Sequence, residues 1–278
     1  MTPDIFLIVL FAAIMHALWN AVIKGATDRT ITFGLVSAGH TIPAVLMLPF
    51  VPLPDPVLLP YIAASTVIHW GYYYFLNTGY RFGDLSFVYP VARGMAPLLV
   101  AIPAFIWLGE ALPLRAWAGM VCISAGILIL AVRRNGTGAS PPALILALLT
   151  GGTIALYSLV DGVGVRVAEQ ALTYIVWLFI AEGFVILYIF LPRMERLRAQ
   201  TRWQVMIGLA GGILSALAYA LALYAKSKAP LGMVSALRET SVIFAAMIGL
   251  IWFGEGPARP RMIAASMVAA GIVMLALA

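Results

Sequence analysis

The chain carries one pattern of residues twice: Arg93 recurs as Arg238, 145 positions later. A shift of 145 without gaps aligns 11 identical residues among the 39 from Arg93 to Ala131. Chance matches of Ala, Leu and Ile are common in so apolar a chain, but a shared Arg, Trp-x-Gly-Glu and Gly are not. The shared positions are Arg93, Trp107, Gly109, Glu110 and Gly126, and then Arg238, Trp252, Gly254, Glu255 and Gly271. Duplicated membrane halves are typical of transporters that rock around a central site.

The composition requires a lipid environment. Hydrophobic residues make up 63% of the 278 residues and charged residues only 10%, which is more apolar surface than a water-soluble fold of this size can bury. Segments long enough to cross about 30 Å of hydrocarbon recur along the chain. We predict ten spans: Ile5–Ile23, Thr32–Val51, Pro60–Tyr80, Ser86–Leu108, Leu114–Val132, Ala143–Val165, Ala171–Leu191, Trp203–Ala225, Leu231–Phe253 and Arg261–Ala278.

The first span is interpreted as a retained helix. No basic residue precedes it, and His16 and Asn20 interrupt it, which is unlike a signal peptide. The single cysteine, Cys122, lies inside the fifth span, so neither a disulfide within the chain nor a cysteine metal site is expected.

The net charge of +6 does not indicate a nucleic-acid partner, because the Lys and Arg residues lie almost entirely at helix ends. Eleven lie in loops after the odd-numbered spans and four lie on the other side: Arg115, Arg166, Lys226 and Lys228. The positive-inside rule then predicts a cytoplasmic location for the larger set and external termini.

Two repeats of five spans are predicted, residues 1–135 and 136–278. An odd number of spans per repeat makes the second enter the membrane in the opposite sense. Loop 52–59 has no Lys or Arg, whereas its counterpart 192–202 has four, as an inverted repeat requires. The basic loop Arg133–Pro142 is the expected joint between them. Glycine-rich stretches, including Gly208-x-x-x-Gly212, are expected to pack helices within the bundle.

The whole chain resembles the drug/metabolite transporter superfamily, specifically its EamA-type members. The motifs are Trp19-Asn20, Pro97, the two Gly-Glu pairs, and Gly126 with Gly271. The resemblance implies an all-α basket of ten helices in two inverted repeats around a central cavity. It also implies transport of small metabolites, often export of amino acids or related compounds. Family members are usually drawn with cytoplasmic termini, opposite to the charge count, and Val242 replaces the second proline.

Two arginines are the strongest candidates for substrate binding. Arg93 and Arg238 each lie seven or eight residues inside a span, roughly 10 Å deep at 1.5 Å per residue. A cation at that depth needs a partner or a wet cavity. Arginine suits a carboxylate, phosphate or phosphonate because it donates two parallel hydrogen bonds. The alternative is that each is neutralised by an intramembrane acid. The candidates for this ion pairing, or for carrying a proton, are Asp161, Glu182 and Glu239.

Polar side chains four residues apart share a helix face and should point into the bundle. Such stripes predict further substrate contacts, although hydrogen bonds between helices explain them too. With Trp19, Tyr89 and the arginines, the predicted substrate-binding set is His16, Trp19, Asn20, His69, Tyr73, Asn77, Tyr89, Arg93, Tyr157 and Arg238.

Two sequence features have structural interpretations. Pro90 and Pro97 bracket Arg93, which predicts a kinked fourth span. Glu110 and Glu255 precede the next helix, so each is expected to cap free amides at that helix's N-terminus.

Taken together, the sequence predicts a multi-pass protein of the cytoplasmic (inner) membrane. It is expected to move a small, anionic metabolite by alternating access, as a monomer or homodimer among membrane lipids. A lipid head-group flippase and an exporter of cationic drugs are the alternatives. Neither a nucleotide-binding loop nor a catalytic or metal motif is found, so neither an enzyme nor a cofactor is expected.

Overall fold

The computed structural model describes residues 1–82, 85–132, 140–251 and 258–278, and every regular element in them is helical. The side chains of residues 77, 80, 85, 86, 130–132, 249, 258, 260 and 261 lie outside the description, as does the predicted joint at 133–139. The helices are α1 Pro3–Gly25, α2 Arg29–Met47, α3 Leu59–Phe82, α4 Leu85–Leu108, α5 Leu114–Val132, α6 Pro141–Val167, α7 Ala171–Glu182, α8 Phe184–Phe190, α9 Met194–Arg198, α10 Arg202–Lys228, α11 Leu231–Glu239, α12 Ser241–Ile251 and α13 Ala258–Ala276.

The protein is a multi-pass membrane protein by the length and polarity of these helices. Within the described ranges, seven helical stretches are long and apolar enough to cross a membrane. They are Pro3–Gly25, Arg29–Phe50, Phe87–Leu108, Pro141–Val167, Ala171–Arg198, Arg202–Lys228 and Leu231–Ile248. Large apolar side chains on the outside, such as Leu46 at 68% and Trp107 at 77% exposure, fit a surface that faces lipid.

Contacts between a helix of the first half and a helix of the second half have counterparts in which the roles of the two halves are swapped. α1 packs along α10, and α3 packs along α6. Likewise, α4 contacts α6, while α11 and α12 contact α1. The pairs α5–α13 and α4–α11 each join equivalent helices. This arrangement is what a twofold relationship between the halves produces, and it brings α1, α4, α6, α10 and α11 together at the centre.

Two predicted continuous spans are interrupted. The seventh is divided at Gly183, where a β-carbon would lie 2.7 Å from the Thr41 methyl group. Thr41 Oγ1 also donates to the Phe179 carbonyl at 3.2 Å. The ninth is divided at Thr240, whose hydroxyl donates to the Leu237 carbonyl at 2.6 Å. The backbone of both residues stays in the right-handed helical region, so each is a one-residue turn and not a gap in the span.

The three prolines of α4 do not divide that helix, which runs without interruption from Leu85 to Leu108. The interruption lies instead in its second-half equivalent, directly after Glu239. Of the two equivalent segments, the one without proline is therefore the discontinuous one.

Glycines set the closest helix contacts, as the small-residue pattern predicted. A β-carbon on Gly212 of α10 would overlap the carbonyl oxygen of Val36 on α2, and Gly39 lies equally close to Leu209. On α13, a β-carbon at Gly271 would lie 2.7 Å from the Gly119 carbonyl oxygen on α5. Small residues permit this approach in lipid, where packing is a main source of helix association.

At one end of the bundle, Asp28 ties the α1–α2 loop to α9. Its carboxylate accepts from the Ile31 amide at 3.1 Å and from the Arg196 guanidinium at 2.8 and 2.9 Å. Partial burial raises the pKa of Asp28, but the Ile31 amide and Arg196 outweigh it and hold the pKa below its usual value. The pair is exposed on the arginine side, so its contribution to stability is small.

We predict opposite effects for one substitution at two helical glycines. Gly212→Ala should lower the free energy of unfolding by about 1–3 kcal/mol, because the added methyl group overlaps α2. Gly152→Ala on α6 should raise it by roughly 0.5–1 kcal/mol, because no atom lies within 4 Å of the new methyl group and alanine favours the helix. Thermal unfolding of both purified variants in one detergent checks this, and stabilisation by Gly212→Ala would contradict the packing.

Candidate functional site

Buried polar side chains gather where α1, α3, α4, α6, α7, α10 and α11 meet. We call this group the central polar cluster. Its charged and imidazole members are His16, His69, Arg93, Asp161, Glu182, Lys226, Arg238 and Glu239, and its phenols are Tyr72, Tyr89, Tyr157, Tyr174 and Tyr219. The three cations and three acids have balanced formal charges. A balanced set is the arrangement that a low-dielectric interior tolerates best.

Arg93 forms an ion pair across the two halves. Its Nη1 lies 3.0 Å from both carboxylate oxygens of Glu239, and the arginine is only 3% exposed. Glu239 is the last residue of α11, where the helix dipole disfavours a negative charge. Arg93 supplies the compensating charge, so the ion-pairing alternative from the sequence describes this arginine in the structure.

His16 lies between Arg93 and Trp19. Arg93 Nη2 is 2.7 Å from His16 Nε2, and Trp19 Nε1 is 3.2 Å from His16 Nδ1. Both neighbours are donors only, whereas a neutral imidazole has a single acceptor nitrogen. One neutral tautomer cannot accept from both, so Arg93 and Trp19 compete for a single lone pair. Asn20 donates to the His16 carbonyl at 2.7 Å, so its amide nitrogen is used within α1.

Arg238 has a different environment from Arg93. Its guanidinium carbon lies 4.7 Å from the centre of the Tyr219 ring, a cation–π contact. In the part of the chain that the structure describes, no carboxylate lies within ion-pair distance of Arg238; its buried Nε, like that of Arg93, has no hydrogen-bond partner. The residue is nevertheless only 6% exposed. A buried guanidinium with an aromatic contact and no anion is suited to receive one.

Asp161 is completely buried and held by two phenols. Tyr174 donates to one carboxylate oxygen at 2.9 Å, and Tyr219 donates to the other through a short hydrogen bond. Among the described residues, no cation lies within ion-pair distance of Asp161. Tyr219 therefore contacts Asp161 through its hydroxyl and Arg238 through its ring.

His69 lies among aromatic rings beside Glu182. It stacks on Tyr157 with ring centres 4.1 Å apart, and its Nδ1 is 3.2 Å from Glu182 and 2.9 Å from the Ser65 carbonyl. Because a carbonyl only accepts, Nδ1 carries a proton. Tyr157 also lies edge-on to Tyr219, which connects this imidazole to the rest of the cluster.

The remaining predicted residues are divided between the cluster and its edge. Tyr89 lies beneath Arg93, 5.3 Å from its guanidinium carbon. Tyr73 packs edge-on against Phe33 and Tyr72 at the half-buried side of α3. The side chain of Asn77 lies outside the described residues. The structure thus places His16, Trp19, Tyr89 and Arg93 in one group, and His69, Tyr157, Asp161 and Arg238 in a second group that adjoins it.

Sequence reasoning missed Lys226, which it counted as a loop charge. Lys226 is fully buried, and its Nζ donates to the Ser158 carbonyl on α6 at 3.1 Å. The error arose because the eighth span was ended at Ala225, whereas α10 continues to Lys228. The available signal was the spacing from Tyr219: seven residues are two helical turns, which places both side chains on the same face.

Glu110 caps a helix, but a different one from that predicted. Its Oε2 accepts from the Leu231 amide at 2.8 Å, at the start of α11 and not of α5. Its Oε1 pairs with Arg166 at 2.7 Å, and Arg166 also donates to the carbonyls of Lys226 and Ala229 at 2.8 Å. The Gly-Glu motif therefore joins the two halves. Glu255 lies outside the described residues.

We predict that the Arg93–Glu239 pair is a unit. Arg93→Gln and Glu239→Gln should each lower the free energy of unfolding by about 3–5 kcal/mol, because each leaves a buried charge alone. The double variant should lose much less than the sum. Thermal unfolding of the four proteins measures the coupling, and additive losses would show that the pair does not form.

The exposed Asp28–Arg196 pair provides a control for that cycle. Arg196→Gln should change the free energy of unfolding by about 0.2–1 kcal/mol, since water compensates both charges. A loss as large as that of Arg93→Gln would mean that burial is not the source of the effect.

Comparison with known proteins places this geometry in a family. The model of the EamA-like transporter family matches residues 4–132 and 141–277, nearly the whole chain, in two segments. No curated protein sequence matches the chain significantly. A crystal structure described only as that of a protein aligns over 100% of this chain and 99% of its own, with a TM-score of 0.81 and 17% identity, which supports the fold. The chain belongs to the EamA-like transporter family.

Proposed function

We propose that this EamA-like transporter carries a small metabolite with an anionic group across the cytoplasmic membrane by alternating access. The observation that supports the anionic class is Arg238, a buried guanidinium with no carboxylate partner in the described part of the chain. A carboxylate, phosphate or phosphonate bound there receives two parallel hydrogen bonds from the guanidinium.

The surroundings of Arg238 favour a small organic anion. Tyr219 lies under the guanidinium, and Tyr157 and Phe179 lie edge-on and stacked, respectively, against Tyr219. Aromatic faces beside a single charged group fix the orientation of a compact organic molecule. Arg93 has a structural role in this proposal. Because it forms an ion pair with Glu239, it holds the end of α11 in place beside the anion.

The proposed transport unit has ten spans in two inverted repeats. α3, α5 and α13 supply the three crossings beyond the seven apolar stretches, and the exchanged helix contacts relate the halves as a rocking mechanism needs. Thr240 forms a one-residue turn between α11 and α12, directly after Arg238 and Glu239, and its backbone stays in the right-handed helical region.

Alternating access explains why the cluster is buried in this structure. The charged residues of the cluster are buried or largely buried, and a surface groove of about 460 Å³ between Phe184 and Arg193 does not include any residue of the cluster. Movement of one repeat against the other opens a path from one side at a time. The Glu110–Arg166 contact between the halves must then loosen in one of the open states.

The proposal predicts selective thermal stabilisation of the purified protein. Amino acids, organic acids, phosphonates, sugar phosphates and cationic drugs are added separately, and the unfolding temperature is recorded. An anionic compound at 100 times its dissociation constant should stabilise by about 2.7 kcal/mol. Arg238→Gln should abolish this stabilisation, whereas Arg202→Gln, an exposed arginine at the start of α10, should leave it unchanged.

Other outcomes of that measurement identify the alternatives. Stabilisation by cationic drugs alone would overturn the anionic class and indicate that both arginines are structural. Stabilisation by intact phospholipids, but not by their free head groups, would favour a flippase. Unchanged anion binding in Arg238→Gln would remove Arg238 from the site.

A further inference from the structure

We propose that Asp161 is a proton-binding site, coupled through Tyr219 to the anion site at Arg238. The inference rests on the proposed function and deepens it, since it assigns a proton as the second species that the site binds. It is carried by the geometry of four side chains on α6, α7, α10 and α11.

The first step is the isolation of the Asp161 charge. Its carboxylate is completely buried, and both of its oxygens accept from phenols, Tyr174 and Tyr219. The structure describes no cation within ion-pair distance of it, in contrast to Glu239, Glu110 and Asp28. Neutral donors compensate a buried carboxylate less than a cation does, so a proton is the species that completes this site.

The charged and titratable groups around Asp161 come from each helix packed near it. Tyr174 and Glu182 face it from α7, Tyr219 and Lys226 from α10, Arg238 and Glu239 from α11, and His69 from α3 beside Glu182. Lys226 is committed to the Ser158 carbonyl, one turn before Asp161 on α6. Glu239 is committed to Arg93. Arg238 contacts the ring of Tyr219, and the Tyr219 hydroxyl donates a hydrogen bond to Asp161.

The second step is the shared phenol. The hydroxyl of Tyr219 donates to Asp161 while its ring lies 4.7 Å from the Arg238 guanidinium. Protonation by water from one side converts the accepting oxygen into an O–H donor, so the Tyr219 hydroxyl must turn and accept. The ring then shifts relative to the guanidinium. Release returns the proton to water and restores the original hydrogen bond, so no other species is consumed.

The consequence is linkage between two occupants of one connected site. An anion on Arg238 neutralises the cation that contacts Tyr219, the phenol that donates to Asp161. Binding of the anion therefore changes the affinity of Asp161 for a proton, and reciprocity requires that a proton on Asp161 change anion binding by the same factor.

Infrared spectroscopy of the purified protein tests the proton site without any added anion. Titration with pH should reveal the C=O stretch of a buried protonated carboxyl group, and Asp161→Asn should remove it. Glu182→Gln and Glu239→Gln should retain it. If the band survives in Asp161→Asn, or no such band appears at any pH at which the wild-type protein stays folded, the proposal is wrong.

The coupling has its own test in the same titration. Arg238→Gln should shift the midpoint of the Asp161 band, and this shift should disappear in a Tyr219→Phe background. In a Tyr174→Phe background, which removes the other phenol, the shift should persist. Equal shifts in both backgrounds would contradict transmission through Tyr219, and Arg202→Gln is the control that should not shift the midpoint.

Two features keep this test decisive. If Asp161→Asn does not fold, carbon-13 labelling of aspartate in the wild-type protein assigns the band to an aspartate, because glutamate bands do not move, and Asp161 is the fully buried aspartate among the described residues. Because no anion is present, failure of the proposed anion site leaves the band unaffected, and loss of the band leaves anion stabilisation to be judged separately.

Discussion

Arg93 on α4 and Glu239 at the end of α11 join the two halves of the chain at the centre of an apolar bundle. Neither charge is stable there alone, because burial of an unpaired ion costs several kcal/mol. Arg238 precedes Glu239 on α11 and lies in the same cluster without using that carboxylate. The different environments of two repeat-related arginines follow from this single pair.

The halves are alike in helix pairing but differ at their centres. α4 carries three prolines and remains one helix, whereas its equivalent carries none and is divided at Thr240. The Gly-Glu motif of the first half reaches α11 of the second, and Arg166 ties the same region to the end of α10. Sequence symmetry therefore yields a shared scaffold on which each half presents a different surface to the site.

Much of the fold followed from the sequence because apolar length and periodicity are local properties. Within the described residues the ten predicted spans lie largely on helices, and seven helical stretches are long and apolar enough to cross a membrane; the packing role of Gly212 and Gly271 was readable from small residues at helical spacing. The turns at Gly183 and Thr240 were not predictable, because each depends on a neighbour or a side-chain rotamer.

The site was only partly predictable for a related reason. Its residues were identifiable by depth and helix face. Tertiary contacts, which the sequence does not show, determine that Arg93 pairs with Glu239 and that Arg238 lies against Tyr219. Lys226 was missed because one helix was ended a turn too early.

The central claim is that Arg238 is the buried cation that receives the transported anion while Arg93 stays paired. A crystal structure with an iodinated benzoate tests it most directly, because anomalous scattering locates the iodine independently of the protein density. The account predicts a carboxylate on the Arg238 guanidinium, with the iodine beside the tyrosine rings and the Arg93–Glu239 pair intact. A benzoate bound to Arg93 in place of Glu239, or Arg238 paired with a protein carboxylate, would contradict it.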